Sequence, residues 1–134
     1  MSRFNRVALR TAVVALAGFS AVGLAAGAAS AKSDISLSAG PRTVHVGGQI
    51  HLKGTGDNDD FHIKRFCVQE RTGHHAWRDL KCTKPGIGGG GSLTLRVKAT
   101  HRGTYQFRGV LFEKSHGNRF EPGPTSAVRT VTVR

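Results

Sequence analysis

The feature that most constrains this chain is the run Leu93-Thr94-Leu95-Arg96-Val97-Lys98-Ala99, in which every second residue is apolar and those between are polar or charged. Successive side chains of a β-strand point to opposite faces. The run therefore puts Leu93, Leu95, Val97 and Ala99 on a core, and Thr94, Arg96 and Lys98 in water. Alternation of this kind recurs after Lys32, and no stretch there sustains the i, i+3, i+4, i+7 spacing of an amphipathic helix. The expected domain is all-β, with strands at Ile35 to Ser38, Thr43 to Val46, Gln49 to Lys53, His62 to Arg71, Trp77 to Cys82, Leu93 to Ala99, Thr104 to Phe112 and Ala127 to Val133. Turn-forming residues separate them at Gly40-Pro41, Gly47-Gly48, Gly54 to Asp60, Thr72 to His75, Pro85 to Gly91, His101 to Gly103 and His116 to Pro124.

What precedes Lys32 is of another kind. Arg3, Arg6 and Arg10 make a positive start, Thr11 to Ala26 is uncharged and rich in Ala, Val, Leu and Gly, and Ala29-Ser30-Ala31 supplies small residues for cleavage. Residues 1–31 thus read as a secretory signal peptide, and residues 32–134 as one domain. The run is too short and too weakly apolar for a membrane anchor. The absence of an Arg-Arg pair points to the general secretory pathway. Removing the leader takes the net charge from +12 to +9.

Export to an oxidising compartment makes the two cysteines, Cys67 and Cys82, a disulfide, with a stabilisation of about 3 kcal/mol for a loop of this length. Setting Cys67 directly opposite Cys82 in a regular hairpin would align Glu70 with Asp79 and Arg71 with Arg78, so an offset or irregular hairpin tip is expected. Val131 and Val133 share a parity that Val128 lacks, which predicts a bulge near Arg129. A three-residue loop around Gly47-Gly48 would set Val46 against Ile50 and Val44 against Leu52, unless the two strands lie in different sheets.

Seven to eight short strands in about 100 residues is the sandwich pattern. Within it, the run Gly103-Thr104-Tyr105-Gln106-Phe107 resembles the tyrosine corner of the immunoglobulin-like sandwiches. The chain as a whole resembles the small immunoglobulin-like secreted proteins of high-GC Gram-positive bacteria. The resemblance implies an immunoglobulin-like antiparallel β-sandwich in which Tyr105 is buried with its hydroxyl bonded to backbone. Phe107 stands where the antibody pattern has its second cysteine, and no functional residue is carried over.

The residues that bear chemistry are few. His74 and His75 are adjacent and point to opposite faces of a strand, and His45 and His51 lack a third ligand, so no metal or cofactor is expected. Gly56-Asp57-Asn58-Asp59-Asp60 lacks the later glycine and glutamate of a calcium loop. Gly86 to Gly91 fits G-x-G-x-x-G but leads into a strand rather than a helix, and so reads as a flexible connection replacing an edge strand. Ser92 has no G-x-S-x-G context and no catalytic constellation is present, so the chain is not expected to be an enzyme.

Charge is the remaining signal. Lys64, Arg65, Arg96, Lys98, Arg108, Arg119 and Arg129 alternate with core positions, which gives a solvated outer face suited to weak, salt-sensitive contact with polyanions. The expected function is that of a secreted, monomeric, non-enzymatic domain that associates electrostatically with anionic cell-wall polymer or polysaccharide, nucleic acid being the less suitable partner. Arg96, Lys98 and Arg108 are its candidate contacts, and Trp77 could stack on a sugar ring or cover core. One alternative is a small-ligand carrier, similar to the apoproteins of secreted actinobacterial chromoproteins, although those are typically acidic with two disulfides. Another is an interaction or inhibitor module presenting a loop from His116 to Pro124, stiffened by Pro122 and Pro124.

Overall fold

The computed structural model describes residues 33–58, 61–87 and 89–134. The expected signal peptide lies outside the described residues, as do Asp59, Asp60 and Gly88. The described chain is all-β and without helix: β1 Ser33–Gly40, β2 Thr43–Val44, β3 Gln49–Asn58, β4 Ile63–Thr72, β5 Arg78–Cys82, β6 Gly86–Ile87, β7 Gly89–Lys98, β8 Gly103–Lys114, β9 Phe120–Thr125 and β10 Arg129–Val133. They form two sheets with a common core. One has the order β1-β3-β7. The other has the order β2-β10-β8-β4-β5, with β6 also on β4 and β9 also on β8. β2 runs parallel to β10, and the remaining pairs are antiparallel.

The chain changes sheet at Pro41, between β1 and β2, so β2 and β3 are not a hairpin. The pairing of Val44 with Leu52 therefore does not form: Val44 is buried in the larger sheet and Val46 is exposed.

Two of the strands are broken in the same way. β5 and β6 lie along one side of β4, interrupted at Thr83; the Thr83 N–H donates to the Phe66 carbonyl (2.8 Å), and its hydroxyl accepts from the Phe66 N–H (2.9 Å). β9 and β10 lie along one side of β8, interrupted at Ser126; the Ser126 N–H donates to the Gly109 carbonyl (2.9 Å), and its hydroxyl accepts from the Gly109 N–H (2.8 Å). At each break a side-chain oxygen stands in for the missing carbonyl, so the central strand keeps its donor satisfied. The bulge expected near Arg129 is not there: β10 pairs with β8 in unbroken register from Arg129, and Val128 precedes the strand and is exposed.

The alternation holds where it is clearest. In β7 and the residue after it, Leu93 and Ala99 are buried while Leu95 and Val97 are partly so, and Thr94, Arg96 and Lys98 are exposed. Three turn assignments are corrected. β3 continues through Gly54 and Gly56 to Asn58 instead of turning at Gly54. Residues 85–91, read as a connection, contain β6 and the start of β7. Half of the supposed loop from His116 to Pro124 is β9, with Phe112 opposite Pro122. Proline is tolerated there because the strand's other side carries no ladder.

The centre of the core explains the glycines. The ring of Phe66, fully buried, lies against Gly54 and Gly56 of the facing sheet and Gly109 of its own. A Cβ would stand 2.8 Å from the ring at Gly54, 2.5 Å at Gly56 and 2.6 Å at Gly109. These glycines are seats for a ring, which is why they sit inside strands.

Tyr105 is 4% exposed, and its hydroxyl accepts from the backbone N–H groups of Thr100 (3.2 Å) and His101 (3.3 Å). The loop from β7 to β8 is thereby fastened to the core.

Candidate functional site

The disulfide joins Cys67 to Cys82, which are direct partners on β4 and β5. The like-charge alignment that this would impose is avoided by a bulge: Val68 faces Lys81 but Gln69 faces Asp79, so Leu80 is the extra residue and Glu70 falls opposite Arg78. Arg78 then donates to the buried Glu70 carboxylate at 3.0 Å, while Gln69 Nε2 donates to Asp79 at 2.9 Å. The expected irregularity at the hairpin tip turns a repulsion into an ion pair.

On β4 the inward parity is that of Lys64, Phe66, Val68 and Glu70, and the outward parity is that of Arg65, Cys67, Gln69 and Arg71. Lys64 is accordingly buried, 1% exposed, opposite Glu113, which corrects its assignment to the solvated face. Arg129 is exposed but not idle, since its Nε donates to the Leu37 carbonyl across the sandwich (2.8 Å).

The outward side chains of β4 and β8 meet Trp77, which is partly buried. Two guanidinium groups lie over its ring, that of Arg71 at 4.6 Å from the centroid and that of Arg108 at 4.4 Å. Each is held in place: Arg71 Nε donates to Gln106 Oε1 (2.6 Å), and Arg108 Nε donates to Gln69 Oε1 (2.8 Å). Burial, and then the neighbouring charge of Arg71, lower the pKa of Arg108; as an arginine it remains a cation at neutral pH. Towards the other end of the same face, Arg65 lies over the rings of Phe120 (4.8 Å) and Phe112 (5.4 Å). This outer face is a fitted layer of cations, rings and amides beside a disulfide whose Cys67 is buried.

The opposite outer face, on β1-β3-β7, is different. Register sets His51 beside Arg96, Lys53 beside Thr94 and Gln49 beside Lys98, all exposed. The side chains of Lys53, Arg96 and Lys98 have no hydrogen bond or ion pair among the described residues. The acids of this face, Asp34 and Asp57, pair with each other towards the far end of β3.

The candidate residues therefore fall in two places, Arg96 and Lys98 on one outer face, Trp77 and Arg108 on the other. Arg71, Gln69 and Gln106 belong with Trp77. Their outward parity on strands was available in the sequence, but their convergence on one ring was not. Among the described residues, Cys67, Asp79 and Cys82 are the cluster with metal-ligating atoms close together, and both sulfurs are already joined to each other. Two open recesses, of about 390 and 450 Å³, share Gly73 and Thr104 beside the β4–β5 turn. No protein-family model and no curated protein matches the chain.

Proposed function

We propose that this is a secreted immunoglobulin-like domain without catalytic activity, which associates with anionic cell-wall polymer or polysaccharide through the outer face of β1-β3-β7. The immunoglobulin-like reading is supported by the strand order, with β1-β3-β7 packed on β2-β10-β8-β4-β5 and β2 parallel to β10, and by the Tyr105 hydroxyl on the backbone of Thr100 and His101.

The functional reading rests on one observation: Lys53, Arg96 and Lys98 stand exposed on a single face with no ion pair among the described residues. A shallow face of this kind gives affinity through summed charge and little selectivity. Trp77, engaged by two arginines, is less suited to stacking on a sugar than an uncovered ring.

The test is a salt titration of binding to teichoic-acid-like polymer, comparing the wild type with Arg96→Ala combined with Lys98→Ala. Binding should weaken steeply between low and physiological salt, where screening acts over about 8 to 10 Å, and the double variant should bind weakly throughout. Salt-insensitive binding, or binding lost only on replacing Trp77, would overturn the proposal in favour of a carbohydrate site around that ring.

A further inference from the structure

β7 is the outermost strand of its sheet, ten residues long, and among the described residues it pairs on one side only, with β3. The Ala99 N–H donates to the Gly48 carbonyl (2.8 Å), and the Ala99 carbonyl accepts from Gly47 (2.7 Å). Peptide groups alternate in direction along a strand, so those of Leu93, Leu95, Val97 and Ala99 face β3. The N–H and C=O groups of Ser92, Thr94, Arg96 and Lys98 then face outward, along an open edge.

The other edges of the molecule are managed. β1 is tied to the facing sheet by Arg129 on the Leu37 carbonyl, β2 has two residues, and the edge formed by β5 and β6 is broken at Thr83. β7 is a long edge that no strand or loop covers among the described residues; its exposed Arg96 and Lys98 oppose pairing with a strand that lacks matching acids, and leave it open to one that has them.

Apolar surface is open on the outer side of this edge. Across the β3–β7 register, Ile50 and Leu52 are 0% and 1% exposed, whereas their partners Val97 and Leu95 are only partly covered. Leu93 is buried on the same face, at 7%, so the open apolar surface of β7 is that of Leu95 and Val97. The side chains on the other face of the edge are Thr94, Arg96 and Lys98.

We propose that the β7 edge binds an extended protein segment, added as a fourth strand of β1-β3-β7, in which apolar residues alternate with acidic ones. The apolar side chains complete the cover over Leu95 and Val97, the acidic ones lie beside Arg96 and Lys98, and the backbone completes the ladder. A second copy of this chain fits less well, since the net charge of +9 on residues 32–134 opposes self-association.

The test uses a decapeptide of five Glu-Val repeats, with a decapeptide of five Glu-Ser repeats as the control of equal charge. The first should bind at least about tenfold more tightly than the second, since only it supplies apolar cover. Amide hydrogen exchange of the wild type should slow at Thr94, Arg96 and Lys98 when it binds, and stay unchanged at Leu95 and Val97. Thr94→Pro removes one outward N–H and leaves every charge in place; it should weaken the Glu-Val peptide about tenfold and leave teichoic-acid-like polymer binding unaltered. Equal affinity for the two peptides, or unchanged exchange at the edge amides, overturns the proposal and leaves a charged surface alone. Slow exchange at those amides in the free protein, together with a dimeric mass, overturns it in favour of self-pairing. The exchange measurement on the wild type stands whether or not the proline variant folds.

Discussion

The two outer faces of the sandwich carry the same kind of charge and use it in opposite ways. On β1-β3-β7, Lys53, Arg96 and Lys98 project from adjacent strands with no side-chain partner among the described residues. On the facing sheet, Arg71 and Arg108 are held by Gln106 and Gln69 and lie over Trp77, and Arg65 lies over Phe112 and Phe120. An exposed cation whose partners are solvent and ions contributes little to stability and is available to a polyanion. One that is stacked and hydrogen-bonded contributes to the fold and is less available. Net charge therefore overstates the surface that can bind.

The largest test of this contrast is Cys67→Ser. The disulfide underlies the engaged face, and its loss should lower unfolding free energy by about 3 kcal/mol, measured by denaturant titration. Polymer binding at a temperature where the variant stays folded should be unaffected. Trp77→Ala comes next, at about 2 kcal/mol, from the lost packing of the ring and two cation–π contacts. Thermal unfolding reads it, and a loss below about 0.5 kcal/mol would mean that the ring is idle.

Arg108→Lys keeps the charge but loses the planar group over Trp77 and the Nε bond to Gln69; a cost of about 1 kcal/mol is expected, with polymer affinity unchanged. The matching change on the other face, Arg96→Lys, should alter neither stability nor affinity measurably. A stability loss at Arg96 equal to that at Arg108 would erase the distinction between the faces.

What could be read from the sequence follows the range of the interactions concerned. β7 and the buried Tyr105 were legible because alternation and a five-residue motif are local. The bulge at Leu80 was legible in outline, since a regular hairpin would have opposed like charges. The continuation of β3 was not: Gly54 and Gly56 look like turn residues until the Phe66 ring that occupies their space is known, and that ring comes from the other sheet. β9 was hidden by Pro122 and Pro124, which forbid a central strand but not one whose second side is free. The charge of Lys64 points to the solvated face, but the residue shares the parity of Phe66 and Val68, and on a strand parity decides which way a side chain points. The arrangement of Arg71, Trp77 and Arg108 depends on how β4, β5 and β8 lie side by side, which no local pattern specifies.

The parallel pairing of β2 with β10 has a mechanical consequence. Arg134 donates to the Val44 carbonyl, Val46 to the Arg134 carbonyl and Thr132 to the Arg42 carbonyl, which stitches the first strand of the larger sheet to the last strand of the chain. Tension applied between the two ends of the domain drags these strands lengthwise past each other. The hydrogen bonds are then loaded together in shear, where an antiparallel hairpin pulled from its open end would unzip them one at a time. A pull on the C-terminus thus meets its resistance at β2 and β10, before it reaches the ring of Phe66.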